Sequence, residues 1–292
     1  MIELLKRSKC PACESSALET VFELPYADAS LSHFINDFYQ GRVDMSVLAD
    51  QNYQIDKCRQ CGGLFQAYVL NQDGQAALYG DWVDNRASLL KKQNAKAKLF
   101  QQYAGQLQTI SRLFKQPPAQ TYVLEFGIGW GYWCRMAQAF GYSVQGLEVS
   151  PDRVEHARSI GVEVIDQLPA TDPHYDFIFA NQVFEHLEEP LQTLRELVDC
   201  LKPEGYLYLR VPDGRGIENQ LKREGWQSQM DAIHPLEHIN CFTRKSLITL
   251  AENAGLKPVQ LPIRIDVGKF WGGLKREVND RWLTTHVFFE RL

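Results

Sequence analysis

An α/β fold built on a mostly parallel sheet is predicted for residues 119–292 by three observations. Short apolar runs at 121–126, 142–149, 162–165, 176–180 and 206–211 alternate with helix-length segments near 131–140, 151–159, 190–201 and 244–254. Such alternation is what parallel strands joined by helical crossovers produce. The first run leads straight into Gly127, Gly129 and Gly131. An acidic residue, Glu148, closes the second run about 20 residues further on, the position of a ribose-binding carboxylate.

The elements follow in chain order. Seven cysteines are present, and four of them form two C-x-x-C knuckles, Cys10–Cys13 and Cys58–Cys61. Four thiolates saturate a tetrahedral zinc ion and leave no open position, so a metal held here is structural. The competing reading is a redox-active knuckle, but neither C-x-x-C opens a helix inside a βαβ pattern. Gly62 and Gly63 let backbone N–H groups turn toward the thiolates. The 44 residues between the knuckles exceed a minimal ribbon, so that segment carries structure of its own. Cys134, Cys200 and Cys241 stand alone in apolar contexts and read as small core residues.

A long helix capped by Asn85 or Ser88 and stopped by Pro117-Pro118 is predicted next. The chain therefore divides into a zinc-binding cap at 1–84, a linking helix at 85–118 and a catalytic domain at 119–292. At the far end, 257–265 and 284–291 read as a closing hairpin pair with one antiparallel strand, and 266–282 as a surface insertion.

The glycine turn defines the ligand. Glycines at alternate positions permit positive φ and let a ligand approach the main chain without meeting a Cβ. A dinucleotide fingerprint is spaced G-x-G-x-x-G, which aims a helix N-terminus at a pyrophosphate. Here the spacing is G-x-G-x-G, and Glu125 precedes it. A carboxylate there repels a pyrophosphate but suits a ligand with an ammonium and a sulfonium.

Leu124-Glu125-Phe126-Gly127-Ile128-Gly129-Trp130-Gly131 resembles the first motif of class I S-adenosylmethionine (SAM)-dependent methyltransferases. Tyr175 to Leu187 looks like that family's fourth strand and following loop, and Leu201 to Pro212 like its helix end, turn and fifth strand. The resemblance implies a Rossmann-like seven-stranded sheet with SAM as cofactor. It places Gly127, Gly129 and Gly131 against the methionyl part, with Glu125 orienting it. Glu148 falls on the ribose hydroxyls, Asp166 on the adenine amino group, with Gln167 and Leu168 beside it, and Asn181 on the methionyl ammonium. Asp166 is also read as a plain turn former.

A second, narrower resemblance covers the N-terminal region. Cys-Pro-Ala-Cys, Pro25 and Cys-Arg-Gln-Cys-Gly-Gly-Leu-Phe-Gln look like the zinc-binding domain of sugar C-methyltransferases from antibiotic pathways. In those enzymes a Tyr- and Ser-rich segment after the second knuckle reaches substrate; the matching stretch is Leu78 to Ser88, with Trp82 in place of a tyrosine. They also carry a further C-terminal domain that does not follow within these 292 residues.

Methyl transfer asks the protein to align a nucleophile and, where needed, to remove its proton. Glu185-His186, beyond the fourth strand, and Glu237-His238, after the fifth, supply candidate bases. By resemblance the second pair abstracts the proton, so His238, Glu237 and His186 are the catalytic candidates. The tyrosine that the family places two residues before that glutamate is Pro235 here. For His186 the bland alternative is a loop-bracing hydrogen bond.

A net charge of −5 argues against a broad phosphate-binding face. No apolar run reaches the roughly 18 residues needed to span a bilayer, and Met1 to Arg7 lacks a signal-peptide core, so a cytoplasmic location is expected. The expected function is methylation of oxygen or carbon on a small molecule, a sugar or another secondary metabolite. Two alternatives are an RNA methyltransferase with a zinc module and a non-catalytic scaffold that binds protein through that module.

Overall fold

The computed structural model describes residues 1–169, 173–260 and 284–292. Five short strands come first: β1 (Leu4–Lys6), β2 (Leu18–Pro25), β3 (Asn52–Cys58), β4 (Leu64–Gln66) and β5 (Tyr68–Leu70). β1 pairs with β5, while β2, β3 and β4 form an antiparallel meander. The long stretch between the knuckles does carry its own structure. Helix α1 (Ala29–Phe38), capped by the Asp28 carboxylate on Ser30 N at 2.9 Å, lies within it and buries Leu31 and Ile35. These pack with Tyr26, Leu48, Tyr53 and Ile55 in a core of the N-terminal half. Each such buried apolar side chain contributes roughly 1.5–3 kcal/mol.

Helix α2 (Gln72–Ala77) runs into a turn over Leu78–Trp82 that closes with an i+5 bond, Val83 N to Leu78 O at 2.8 Å. One long linking helix does not form. Instead α3 (Asn85–Gln93) and α4 (Ala97–Ile110) are separated at residues 94–96. The Asn94 side chain donates to Leu90 O at 2.9 Å and Lys96 is extended, so local side-chain bonding competes with helix continuation. The cap is Asp84, which accepts from Ala87 N at 2.8 Å, rather than Asn85 or Ser88. α4 also stops short of Pro117-Pro118, at Ile110.

The second half is the predicted α/β layer structure. Strands β6 (Tyr122–Phe126), β7 (Ser143–Leu147), β8 (Glu163–Ile165), β9 (Tyr175–Asn181) and β10 (Leu201–Arg210) are parallel. Helices α5 (Tyr132–Ala139), α6 (Pro151–Ser159) and α7 (Pro190–Asp199) connect them. After β10 come the short α8 (Ile217–Leu221), β11 (Asn240–Cys241), α9 (Arg244–Asn253), β12 (Leu256–Pro258) and β13 (His286–Arg291). The seven-stranded order is β12-β13-β10-β9-β6-β7-β8, with β13 antiparallel to both neighbours, as the closing hairpin pair requires. The insertion read at 266–282 lies outside the described residues. Among the described residues no helix is long and apolar enough to cross a membrane.

β11 does not join that sheet. It pairs with β4, Asn240 opposite Phe65 and Cys241 opposite Leu64, and so extends the N-terminal meander to four strands. A continuous apolar cluster also joins Cys10, Cys58, Cys61 and Phe65 to Leu124, Ile178, Leu194, Leu247 and Phe289 of the larger sheet and its helices. The two halves therefore share both a sheet and a core.

Candidate active site

The glycine turn sits at the carboxyl end of β6, where ligands of open parallel sheets bind. Gly127 has φ +75°, and a Cβ there would lie 2.5 Å from Val183 Cγ2, so glycine is required. A Cβ on Gly129 would meet nothing within 4 Å, leaving that stretch of main chain open to a ligand. Gly131, at φ +76°, turns the chain into α5.

Glu125 is buried beneath this turn. Its Oε2 accepts from Cys134 N at 3.1 Å and Cys134 Sγ at 3.0 Å, tying the end of β6 to α5. Burial pushes its carboxyl up to about 8, with the Cys134 donors opposing. Cys134 is therefore more than a core filler. Glu148, at the end of β7, reaches back to the turn: Oε2 accepts from Gly129 N at 2.9 Å, and Oε1 from Val149 N and Ser150 N at 3.0 Å each. Val149 beside it is 81% exposed, an apolar face at the sheet edge that sequence reading passed over. Asp166 follows β8 at the same edge, but its side chain is solvent-facing and pairs with Arg158 at 2.9 Å. Asn181 ends β9 with a buried Oδ1 that has no hydrogen-bond partner among the described residues. An orphaned acceptor, an open glycine main chain and a strand-end carboxylate form a set that fits the ammonium, methionyl chain and ribose of SAM.

Two loops converge beyond β9. His186 Nδ1 donates to Glu237 O at 3.0 Å, and His238 Nδ1 donates to Asp231 O at 2.8 Å; carbonyl partners fix both tautomers with the lone pair on Nε2. The two rings are edge-to-face with centroids 4.8 Å apart. Burial lowers His186 to about 3 and holds His238 below its ordinary value. His186 thus both braces the neighbouring loop and stands beside His238. Glu237 accepts from the Tyr39 hydroxyl at 3.2 Å, and burial raises its carboxyl. The same hydroxyl lies 3.3 Å from Pro235 O, so α1 brings a phenol to a loop that has none of its own.

The clamp between the loops is Asn240 on β11. Its Nδ2 donates to Phe184 O at 2.9 Å and Leu187 O at 2.6 Å, and its Oδ1 accepts from Arg7 Nη1 at 2.7 Å. Gln66 on β4 reaches the other loop, donating to His234 O at 2.8 Å and His238 O at 3.1 Å. Tyr79, on the turn before α3, faces the His186 ring at 6.4 Å. Trp82, by contrast, is buried in the N-terminal core, and its carbonyl accepts from Arg42 Nε at 2.8 Å. Sequence reading missed Tyr39, Gln66 and Asn240 because each acts on a partner far along the chain.

The knuckles come together. Cys10 and Cys61 sulfurs are 3.6 Å apart, as are those of Cys13 and Cys58, and all four lie within 4.8 Å of one another. Sulfurs bound to one zinc at about 2.3 Å stand about 3.8 Å apart in a tetrahedron, so the set fits that ion. Gly63 N points at Cys61 Sγ from 3.5 Å, as the paired glycines predict. A hydrogen bond from the Cys10 thiol holds Cys61 below its ordinary value.

Sheet order, glycine turn and strand-end carboxylates together define a class I SAM-dependent methyltransferase. Residues 95–261, more than half of the chain, match the family model described as a methyltransferase domain, and the chain belongs to that family. It is 28% identical over 158 residues to the biotin biosynthesis bifunctional protein BioHC of Cellvibrio japonicus, a match covering 50% of this chain and 30% of that protein. It is 27% identical over 148 residues to the ubiquinone biosynthesis O-methyltransferase of Shewanella pealeana, covering 46% and 62%. The match thus spans less than two thirds of either relative. The plantazolicin methyltransferase BpumL, solved with SAH, superposes with a TM-score of 0.51 at 15% identity over 75% of this chain and 93% of that one, a likeness of fold.

Proposed function

We propose that the enzyme methylates oxygen or carbon of a small-molecule acceptor, a sugar or another secondary metabolite, with His238 as the base. The observation that carries this reading is the tautomer of His238: Nδ1–H is spent on Asp231 O, and the lowered pKa keeps the ring neutral, with Nε2 free to take a proton. Glu237, steered by Tyr39, polarises the acceptor, and His186 lines its other side.

On the cofactor side, Gly127, Gly129 and Gly131 offer main chain to the methionyl part and Asn181 Oδ1 accepts from its ammonium. Glu148 takes the ribose hydroxyls and Asp166 the adenine amino group, while Glu125 adds negative charge beneath. Cys10, Cys13, Cys58 and Cys61 hold a structural zinc. Residues 1–84 cap the acceptor, 85–118 link, and 119–292 bind SAM.

The test is His238→Ala, assayed by SAH release across a panel of hydroxylated small molecules. Turnover falls at least about 100-fold while SAM affinity, by calorimetry, stays unchanged. Unaltered turnover would assign His238 to structure alone.

A further inference from the structure

Beside the acceptor loops lies a buried group of side chains with unpartnered polar atoms, among them a Glu185 carboxyl that burial pushes up to about 8. Glu185 is wholly buried, and neither carboxylate oxygen has a hydrogen-bond partner among the described residues. His186 Nε2 stands 3.9 Å from Glu185 Oε1. His186 and His238 both spend their Nδ1 protons on backbone carbonyls, so their Nε2 atoms carry lone pairs. Donor atoms of Glu185, His186 and His238 all lie within 4.8 Å of one another.

An unpartnered polar group is unfavourable in a buried site when Glu185 is protonated, and more so when it is ionised. A proton on Glu185 does not resolve the group, because 3.9 Å is too long for an O–H···N bond. A small cation does. Nitrogen and oxygen donors at about 2.0–2.2 Å from a metal stand about 3.3–3.6 Å apart in a tetrahedron, so the 3.9 Å pair and the rest of the group, within 4.8 Å, would have to draw together around the ion.

We propose that Glu185, His186 and His238 form a binding site for a divalent first-row transition-metal ion. Two imidazoles and one carboxylate are a donor set that such ions favour, leaving positions open for a further oxygen ligand. The carbonyls of Glu237 and Asp231 are the outer partners that orient metal-ligating histidines. His234, tilted against His238 with centroids 4.1 Å apart and packed against the stacked pair Phe34 and Phe38, stands outside the group. The site rests on the acceptor reading only for its use. A bound ion would occupy His238 Nε2 and supply the polarisation of an acceptor hydroxyl, leaving Glu237 as the carboxylate that could take the proton; without the ion, His238 Nε2 takes it.

The test is titration of chelator-stripped full-length protein with Co²⁺, read by absorption and by metal analysis. The wild type binds two equivalents: one with thiolate-to-metal charge-transfer bands, from the four cysteines, and one without them. Glu185→Gln keeps the shape of the side chain, so it folds, and it loses the second equivalent alone; His238→Ala does the same, while His234→Phe retains both. Added Co²⁺ raises the Tm of the wild type more than that of Glu185→Gln. A single equivalent that reports thiolates only overturns the site, as does a second equivalent that survives Glu185→Gln. If that happens while His238→Ala still loses turnover, the metal proposal falls and the base reading stands. Metal binding with turnover indifferent to His238 supports the site and removes its role in the acceptor reaction.

Discussion

Glu125 and Glu148 carry opposite lessons about reading single residues. The spacing after the glycines placed Glu148 at the end of β7, and its carboxylate lies against Gly129 N. Glu148→Ala is expected to raise the KM for SAM with little change in Tm; an unchanged KM would remove the ribose role. Glu125 was also legible as a residue, but its burial and its bonds to Cys134 arise from helix packing that no local pattern encodes. Its folded pKa, about 8, is raised above the ordinary 4.5. A carboxyl of this kind stabilises the fold fully below the ordinary value and loses that contribution as pH rises through about 8. Unfolding curves from pH 5 to 9 should slope downward in the wild type and less so in Glu125→Gln. A cation bound above the turn favours the ionised form, so SAM binding at neutral pH is expected to release a proton. Calorimetry in buffers of different ionisation heat reads that proton directly. The histidine pair was legible as chemistry, whereas Tyr39 was not: its hydroxyl meets a glutamate 198 positions away.

Among elements, the strands and helices of the larger sheet follow from apolar runs separated by turn residues, which is why their order could be read in advance. The break between α3 and α4 escaped because an Asn in a lysine-rich helix carries little signal until its side chain is seen on Leu90 O. The turn after β6 makes a sharper demand. Gly127→Ala meets both the positive-φ penalty, about 1–2 kcal/mol, and the contact with Val183. Adding Val183→Ala should recover the steric part of the lost stability and leave the backbone part, a non-additivity that denaturant titration measures. β11 is the other element whose behaviour could not be foreseen. Two residues long, it offers no periodicity, yet Asn240 on it, at the end of the second loop, holds the loop after β9 through Phe184 O and Leu187 O. Asn240→Ala should lower kcat while leaving SAM affinity intact, and equal losses in both would place its role in the fold.

For the whole molecule, the N-terminal and C-terminal halves look separable along the chain but are not separate in space. Cysteines of both knuckles and residues of the larger sheet lie in one apolar cluster. With the proposed zinc in the knuckles, its removal by a chelator is therefore expected to bring down both halves in one transition, by circular dichroism and by tryptophan fluorescence alike; an early loss confined to the N-terminal half would show the shared core to be weak. The pairing of β11 with β4 bears on any attempt to change what this enzyme methylates. A chimera that swapped in residues 1–84 from a relative would inherit a sheet edge shaped for a different guest strand. Successful transplants would have to carry the stretch from about Asp231 to Cys241 along with residues 1–84, so under the proposed capping role acceptor choice is written in two distant stretches of the chain together.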